Sequence, residues 1–153
     1  MTRQRGATAP TDRQRKVAAV RSIVAVFREF EQVARQQEMS LAHYRLLLFL
    51  RNGPQRAGEI AASSLVAKPT VSLQFADLRD RGWVAALIDP RDKRASRLEL
   101  TPQGRAAMDS FETRLVETLE SATPPDSHEA VIDGLNRLYL ALGETRERRL
   151  GQR

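Results

Sequence analysis

The feature that most constrains this chain is Asp89-Pro90-Arg91-Asp92-Lys93-Arg94, set between two β-type runs. Trp83-Val84-Ala85-Ala86-Leu87-Ile88 precedes it and Ser96-Arg97-Leu98-Glu99-Leu100 follows it. Two strands joined by a loop with three cations predict a β-hairpin with a positive tip. The stretch just upstream reads as two short helices with a tight connection, about Arg56 to Ser64 and Lys68 to Arg81. Val71, Phe75 and Leu78 line up on one face of the second, Pro69 suits its first turn, and Gly82 ends it. A helix-turn-helix followed at once by a cationic hairpin predicts a winged helix, which suits one helix to a major groove and the loop to the backbone or minor groove.

The rest of the chain is helical by pattern. Val17, Val20, Val24 and Phe27 recur at helical steps, which predicts a first helix from about Asp12 to Gln37. Ser40 is placed to cap a second helix whose apolar face is Leu41, Tyr44, Leu47 and Leu48, stopped by Asn52-Gly53-Pro54. Thr101 caps and Pro102 opens a fifth helix that runs to about Ser121. After Pro124-Pro125 a sixth starts at Asp126 or Ser127, with Val131, Leu135, Leu138 and Leu142 as its stripe. The tail from Gly143 is charged, and Arg146, Arg148 and Arg149 read as a solvated end. The expected fold is mainly α with a small β-hairpin wing. Its parts are a disordered basic arm over 1–11, an N-terminal helix over 12–39, a winged helix-turn-helix lobe over 40–101, and C-terminal helices over 102–153.

The totals narrow the chemistry. Lys and Arg number 25 against 19 Asp and Glu, a net charge of +6 that favours polyanionic partners. There is no cysteine, which excludes disulfides, thiolate metal sites and cysteine nucleophiles. His43 and His128 make no zinc pattern, so no metal and no cofactor is expected. No Gly-rich phosphate loop or nucleophile with a positioned base argues for an enzyme. Without a membrane-length apolar stretch or a secretory leader, a soluble cytoplasmic protein is expected.

Four pieces of the segment from Ser40 to Met108 resemble the multiple-antibiotic-resistance regulator (MarR) family of bacterial transcription factors. They are Leu41-Ala42-His43-Tyr44-Arg45-Leu46-Leu47 before Gly53-Pro54; Gly58-Glu59-Ile60-Ala61 leading to Lys68-Pro69-Thr70-Val71-Ser72; Leu78-Arg79-Asp80-Arg81-Gly82-Trp83-Val84; and Asp89 to Arg94 followed by Leu100-Thr101-Pro102-Gln103-Gly104. The last piece, with its Leu-Thr-x-x-Gly sequel, is the most specific. The resemblance implies a homodimer built by the first, fifth and sixth helices, two winged helices on successive major grooves of a near-palindromic operator, and repression relieved by a small, often aromatic, effector. An effector-independent or architectural DNA-binding regulator is the alternative.

Residue by residue, Lys68, Pro69, Thr70, Ser72 and Gln74 are expected to meet double-stranded DNA from the recognition helix, and Arg91, Lys93 and Arg94 from the wing. Arg94 matches the family's minor-groove arginine, and narrow A·T-rich grooves attract that side chain. Asp92 is expected to hold the wing in shape. Phe27, Phe30, His43, Tyr44 and Arg45 are candidates for an effector pocket, with Arg45 suited to a carboxylate. Val131, Leu135, Leu138, Tyr139 and Leu142 are expected at a subunit interface, since so much apolar surface is too large for a monomer to expose. Trp83 reads as an apolar plug between wing and helix. The chain departs from the family pattern at two positions. Ala67 stands where a capping Ser is common. Leu73 stands where many relatives carry a DNA-contacting Arg, and it can either pack on a thymine methyl or turn inward while Gln74 faces out.

Overall fold

The computed structural model describes residues 9–64, 66–89 and 92–150, with backbone alone for 92–95 and 144–150. The expected arm lies outside the described residues over 1–8. Six helices and one hairpin follow in the order α1 (Asp12–Gln36), α2 (Leu41–Leu50), α3 (Ala57–Ser64), α4 (Lys68–Asp80), β1 (Val84–Asp89), β2 (Asp92–Leu100), α5 (Pro102–Ser121) and α6 (His128–Leu150). A short 3₁₀ turn, Pro125–Ser127, introduces α6.

Local chemistry sets the boundaries. Thr11 and Gln14 form a reciprocal capping box at the start of α1. The Ser40 hydroxyl accepts the His43 amide at 3.0 Å and starts α2. Gly53, at φ 133°, makes the turn after α2 that a side chain would resist. Ala67 supplies no side-chain cap to α4, as its methyl dictates. Thr101 caps α5 by accepting the Gly104 amide at 2.9 Å.

One core joins these elements. Leu46, Leu47 and Leu50 of α2 meet Ile60 of α3 and Val71, Phe75 and Leu78 of α4, and Val84, Leu98 and Leu100 close it from the hairpin. Met108 and Phe111 of α5 and Met39 extend it toward α1. The strands pair antiparallel from Val84↔Leu100 to Asp89↔Asp92, with an irregularity between Ile88 and Asp89. Gln55 adds an isolated antiparallel bridge to Leu98 on the other edge of β2.

Three expectations need correcting. Asp92, Lys93 and Arg94, expected in the loop, lie in strand β2, which starts at Asp92 rather than at Ser96. Asp89 belongs to a strand, not to the loop, because its carboxylate is drawn inward. Its side chain is buried and its Oδ2 accepts from Arg56 Nε at 2.7 Å. Helix α6 also continues through Gly143 to Leu150, where a charged tail was expected.

Two apolar faces have no cover among the described residues. On α1, Val20, Ile23, Val24 and Phe27 are exposed. On α6, Ile132, Leu135, Leu138, Tyr139, Leu140 and Leu142 are exposed, and Val131 is half-buried. None of the α6 residues with described side chains is buried. Among the described residues no helix is long and apolar enough to cross a membrane.

Candidate functional site

Helix α4 turns Val71, Phe75 and Leu78 into the core, and this orientation decides what it offers outward. Lys68, Pro69, Thr70 and Ser72 are exposed at its N-terminal end. Without a side-chain cap, the first-turn amides remain available to an anion. Leu73 is 73 % exposed and Gln74 is half-buried. The structure thus decides against the inward-turned Leu73: the leucine faces out and the amide sits at the edge of the core face.

The wing is fixed at its root. Trp83 O accepts the Thr101 amide at 3.0 Å, and the Thr101 hydroxyl donates to Gly82 O at 2.7 Å. Gly82 has φ 71°, a left-handed conformation suited to glycine. Trp83 packs against the core, and the Arg81 guanidinium lies 5.3 Å from its ring centroid, a cation–π contact. Arg91 lies outside the described residues. The backbone of Asp92, Lys93 and Arg94 opens β2, and their side chains are outside the described set. The buried carboxylate of this wing is Asp89. Its partner Arg56 lies 33 residues earlier, so no local pattern links the two. Arg97 of β2 also donates to the Pro54 carbonyl, tying the hairpin to the turn before α3.

Beside this lobe lies an open cavity of about 620 Å³ between α1, the start of α2 and the end of α4. Phe27, His43 and Arg45 line it, together with Glu31, Arg35, Glu38 and Arg81. Phe30 and Tyr44 do not line it. Phe30 packs on the core, while Tyr44 meets Phe111 edge-on at 5.3 Å and donates to Glu112 Oε1 at 2.9 Å. Burial and that hydrogen bond raise the Tyr44 phenol above its ordinary range. Tyr44 is therefore a strut between α2 and α5. The additional residues Glu31 and Arg35 fall one and two turns beyond Phe27, so helical spacing could have found them. Arg81 and Glu38 carried no such signal.

Electrostatics concentrate where the cavity meets α4. Arg81 Nε donates to Asp77 Oδ2 at 2.8 Å, and Arg81 Nη1 donates to Glu38 O at 3.0 Å. Glu38 holds φ 55°, a left-handed conformation at the corner between α1 and α2. His43 Nε2 is 3.3 Å from Asp77 Oδ2. Its Nδ1 is buried with no hydrogen-bond partner among the described residues. Burial lowers the His43 pKa below the ordinary value; Asp77 raises it and Arg81 lowers it. A neutral ring with its proton on Nε2 facing Asp77 leaves Nδ1 as a buried acceptor. Among the described residues no group of three or more His, Asp or Glu could hold a metal ion.

Known proteins share this geometry. The MarR family model matches residues 37–95, from the end of α1 through the opening of β2. The transcriptional regulator Tm0710 from Thermotoga maritima has 26 % identity and a TM-score of 0.63, covering 86 % of this chain and 96 % of that one. The transcriptional repressor CouR, bound to a 23-mer DNA duplex, has 23 % identity and a TM-score of 0.62, covering 87 % and 99 %. NadR in complex with 4-hydroxyphenylacetate has 17 % identity and a TM-score of 0.68, covering 95 % and 98 %. No curated protein matches the chain in sequence. The helix pair, the hairpin anchored by Thr101 and Gly104, and the matched segment lead to one assignment: residues 37–95 match the MarR family, and the chain has the winged-helix fold of the regulators it resembles.

Proposed function

We propose that two copies of this chain bind a near-palindromic operator in double-stranded DNA and repress transcription until a small, often aromatic, effector releases them. The observation that carries the reading is the outward presentation of Lys68, Pro69, Thr70 and Ser72 at the uncapped start of α4, directly before the hairpin. Thr70, Ser72 and the edge residue Gln74 can reach base edges, while Lys68 and the first-turn amides engage phosphate. Arg91 and Lys93 serve as phosphate contacts, Arg94 enters the minor groove, and Asp92, at the start of β2, holds the wing in shape. The parts divide as 12–39 for dimerisation and effector contact, 40–101 for DNA, and 102–153 for dimerisation.

Dimerisation is supported by the uncovered stripes of α1 and α6, including Leu135, Leu138, Tyr139 and Leu142. Such surface is larger than a monomer comfortably exposes. A dimer holds its recognition helices about one DNA turn apart, ~34 Å. The effector reading is supported by the cavity, where Phe27 offers an apolar wall and Arg45 and Arg81 offer cations. A phenol or aromatic acid fits that donor set. The protein acts as a non-enzymatic regulator in the bacterial cytoplasm. The second reading, an effector-independent regulator, places no ligand in the cavity.

Fluorescence anisotropy with duplex DNA taken from upstream of its own gene tests the core claim. Arg94→Ala should weaken binding at least tenfold. Lys68→Ala should make the salt slope shallower by about 0.9 for each phosphate that the lysine neutralises. Unchanged affinity and slope in both variants would overturn the interface. Sedimentation of Leu138→Asp should show monomers, and a dimer of undiminished strength would overturn the assigned subunit contact.

A further inference from the structure

Leu73 occupies the outermost ridge of α4. At ~100° per residue, the core face set by Val71, Phe75 and Leu78 lies nearly opposite Leu73. Pro69, one turn earlier, shares that ridge and is also exposed. Single exposed leucines are ordinary on protein surfaces and by themselves mean little. This one differs in its place. The ridge that first meets the floor of a major groove carries no side-chain donor or acceptor at Leu73 or Pro69, and proline also lacks an amide hydrogen. The polar candidates Lys68, Ser72, Thr70 and Gln74 flank the ridge on either side.

Base edges in the major groove present acceptors, donors and one apolar group, the C5-methyl of thymine. A leucine set against a donor or acceptor strips its water and returns no hydrogen bond. Against a methyl it removes apolar surface from water on both sides. We propose that Leu73, supported by Pro69, reads the C5-methyl of a thymine in each half-site and so determines part of the operator sequence. The inference rests on the DNA-binding reading above and names the base feature that α4 selects.

The test starts from a random duplex library selected with the wild-type protein. The selected duplexes should share a thymine at one fixed position per half-site. Replacing that thymine by deoxyuridine removes only the methyl and keeps every hydrogen-bonding group. Losing one buried methyl should weaken binding about fourfold per half-site and about 15-fold for both. In Leu73→Ala the same replacement should have almost no effect, a non-additive result in a double-mutant cycle. The substitution is at an exposed site, so its melting temperature should match the parent's. Two outcomes overturn the assignment while leaving DNA binding intact: no thymine shared among the selected duplexes, or a deoxyuridine penalty that is the same in Leu73→Ala. If no duplex is enriched at all, the DNA-binding reading falls and the assignment with it.

Discussion

Gly104→Ala should be among the most damaging single-methyl changes available to this chain. Gly104 is buried in the first turn of α5, and a Cβ there would lie 2.0 Å from Trp83 O, 2.8 Å from Trp83 C and 2.9 Å from Trp83 Cα. Ordinary carbon–oxygen contacts stop near ~3.3 Å, so the groups must separate by more than ~1 Å. Neither side can yield freely. The Thr101 hydroxyl accepts the Gly104 amide and donates to Gly82 O, and the Thr101 amide donates to Trp83 O. Overpacking costs ~1–3 kcal/mol, and losing the Thr101–Trp83 hydrogen bond adds ~1 kcal/mol. The sum is ~2–4 kcal/mol, which for a chain of this size lowers Tm by ~5–15 °C. Thermal unfolding followed by circular dichroism, at fixed protomer concentration, measures it. Gly58→Ala is the control, since its Cβ meets nothing within 4 Å and should cost nothing. A Gly104→Ala protein melting within ~2 °C of the parent would refute the argument that this glycine exists for the close approach to Trp83.

Three further expectations follow from the buried polar contacts. Tyr44→Phe removes the 2.9 Å hydrogen bond to Glu112 but keeps the ring on Phe111, so denaturant unfolding should show a loss of ~1–2 kcal/mol. Arg56→Ala removes the 2.7 Å ion pair to the buried Asp89 carboxylate. It should cost ~1–3 kcal/mol, below the loss for a fully buried pair because the Arg56 side chain is 39 % exposed; a charge-preserving Arg56→Lys should recover part of it. His43 is held below its ordinary value of 6.5, so just below that pH the unfolded chain binds the proton more readily than the folded one. The stability tied to this group is present at neutral pH and lost as pH falls through 6.5 toward the lowered value, and His43→Gln should flatten that dependence in melts between pH 5 and 8.

The sequence is legible wherever a signal is local. Ser40 and Thr101 act as caps because a hydroxyl at a helix start has one nearby use, and the Val71, Phe75, Leu78 spacing gives α4 its inward face. The order of helix pair, hairpin and Leu-Thr-x-x-Gly identifies the winged helix because that glycine is sterically demanded. Contacts between distant residues are not legible. Arg56 and Asp89 share no period, so nothing in the sequence announces the buried pair, and Asp89 reads as part of the loop. Periodicity marks Tyr44 as part of an apolar face, yet its position against Phe111 and Glu112 depends on where α5 returns. The stripe of α6 is visible in sequence, but only the fold shows that nothing in the same protomer covers it among the described residues.

Arg81 joins three parts of the molecule that a regulator must coordinate. It caps the end of α4, binds Asp77 on that helix, binds the Glu38 carbonyl at the corner between α1 and α2, and lies over Trp83 at the root of the wing. It also lines the cavity. These contacts differ in how easily they exchange. Asp77 is a charged partner one turn away on the same helix, so Arg81 and α4 move as a unit. The Glu38 carbonyl is neutral, and it belongs to a residue whose left-handed backbone costs ~1–2 kcal/mol. Under the proposed function, an anionic occupant of the cavity would compete for the bond to Glu38, putting a charged acceptor in place of a neutral one. Exchanging that bond removes one of the ties between the end of α4 and the α1–α2 corner, the His43–Asp77 pair being another, and leaves α4 attached to the wing through Trp83. Under the proposed function, helix and wing then shift together relative to the dimer body, and the spacing of the two recognition helices changes without either losing its own shape.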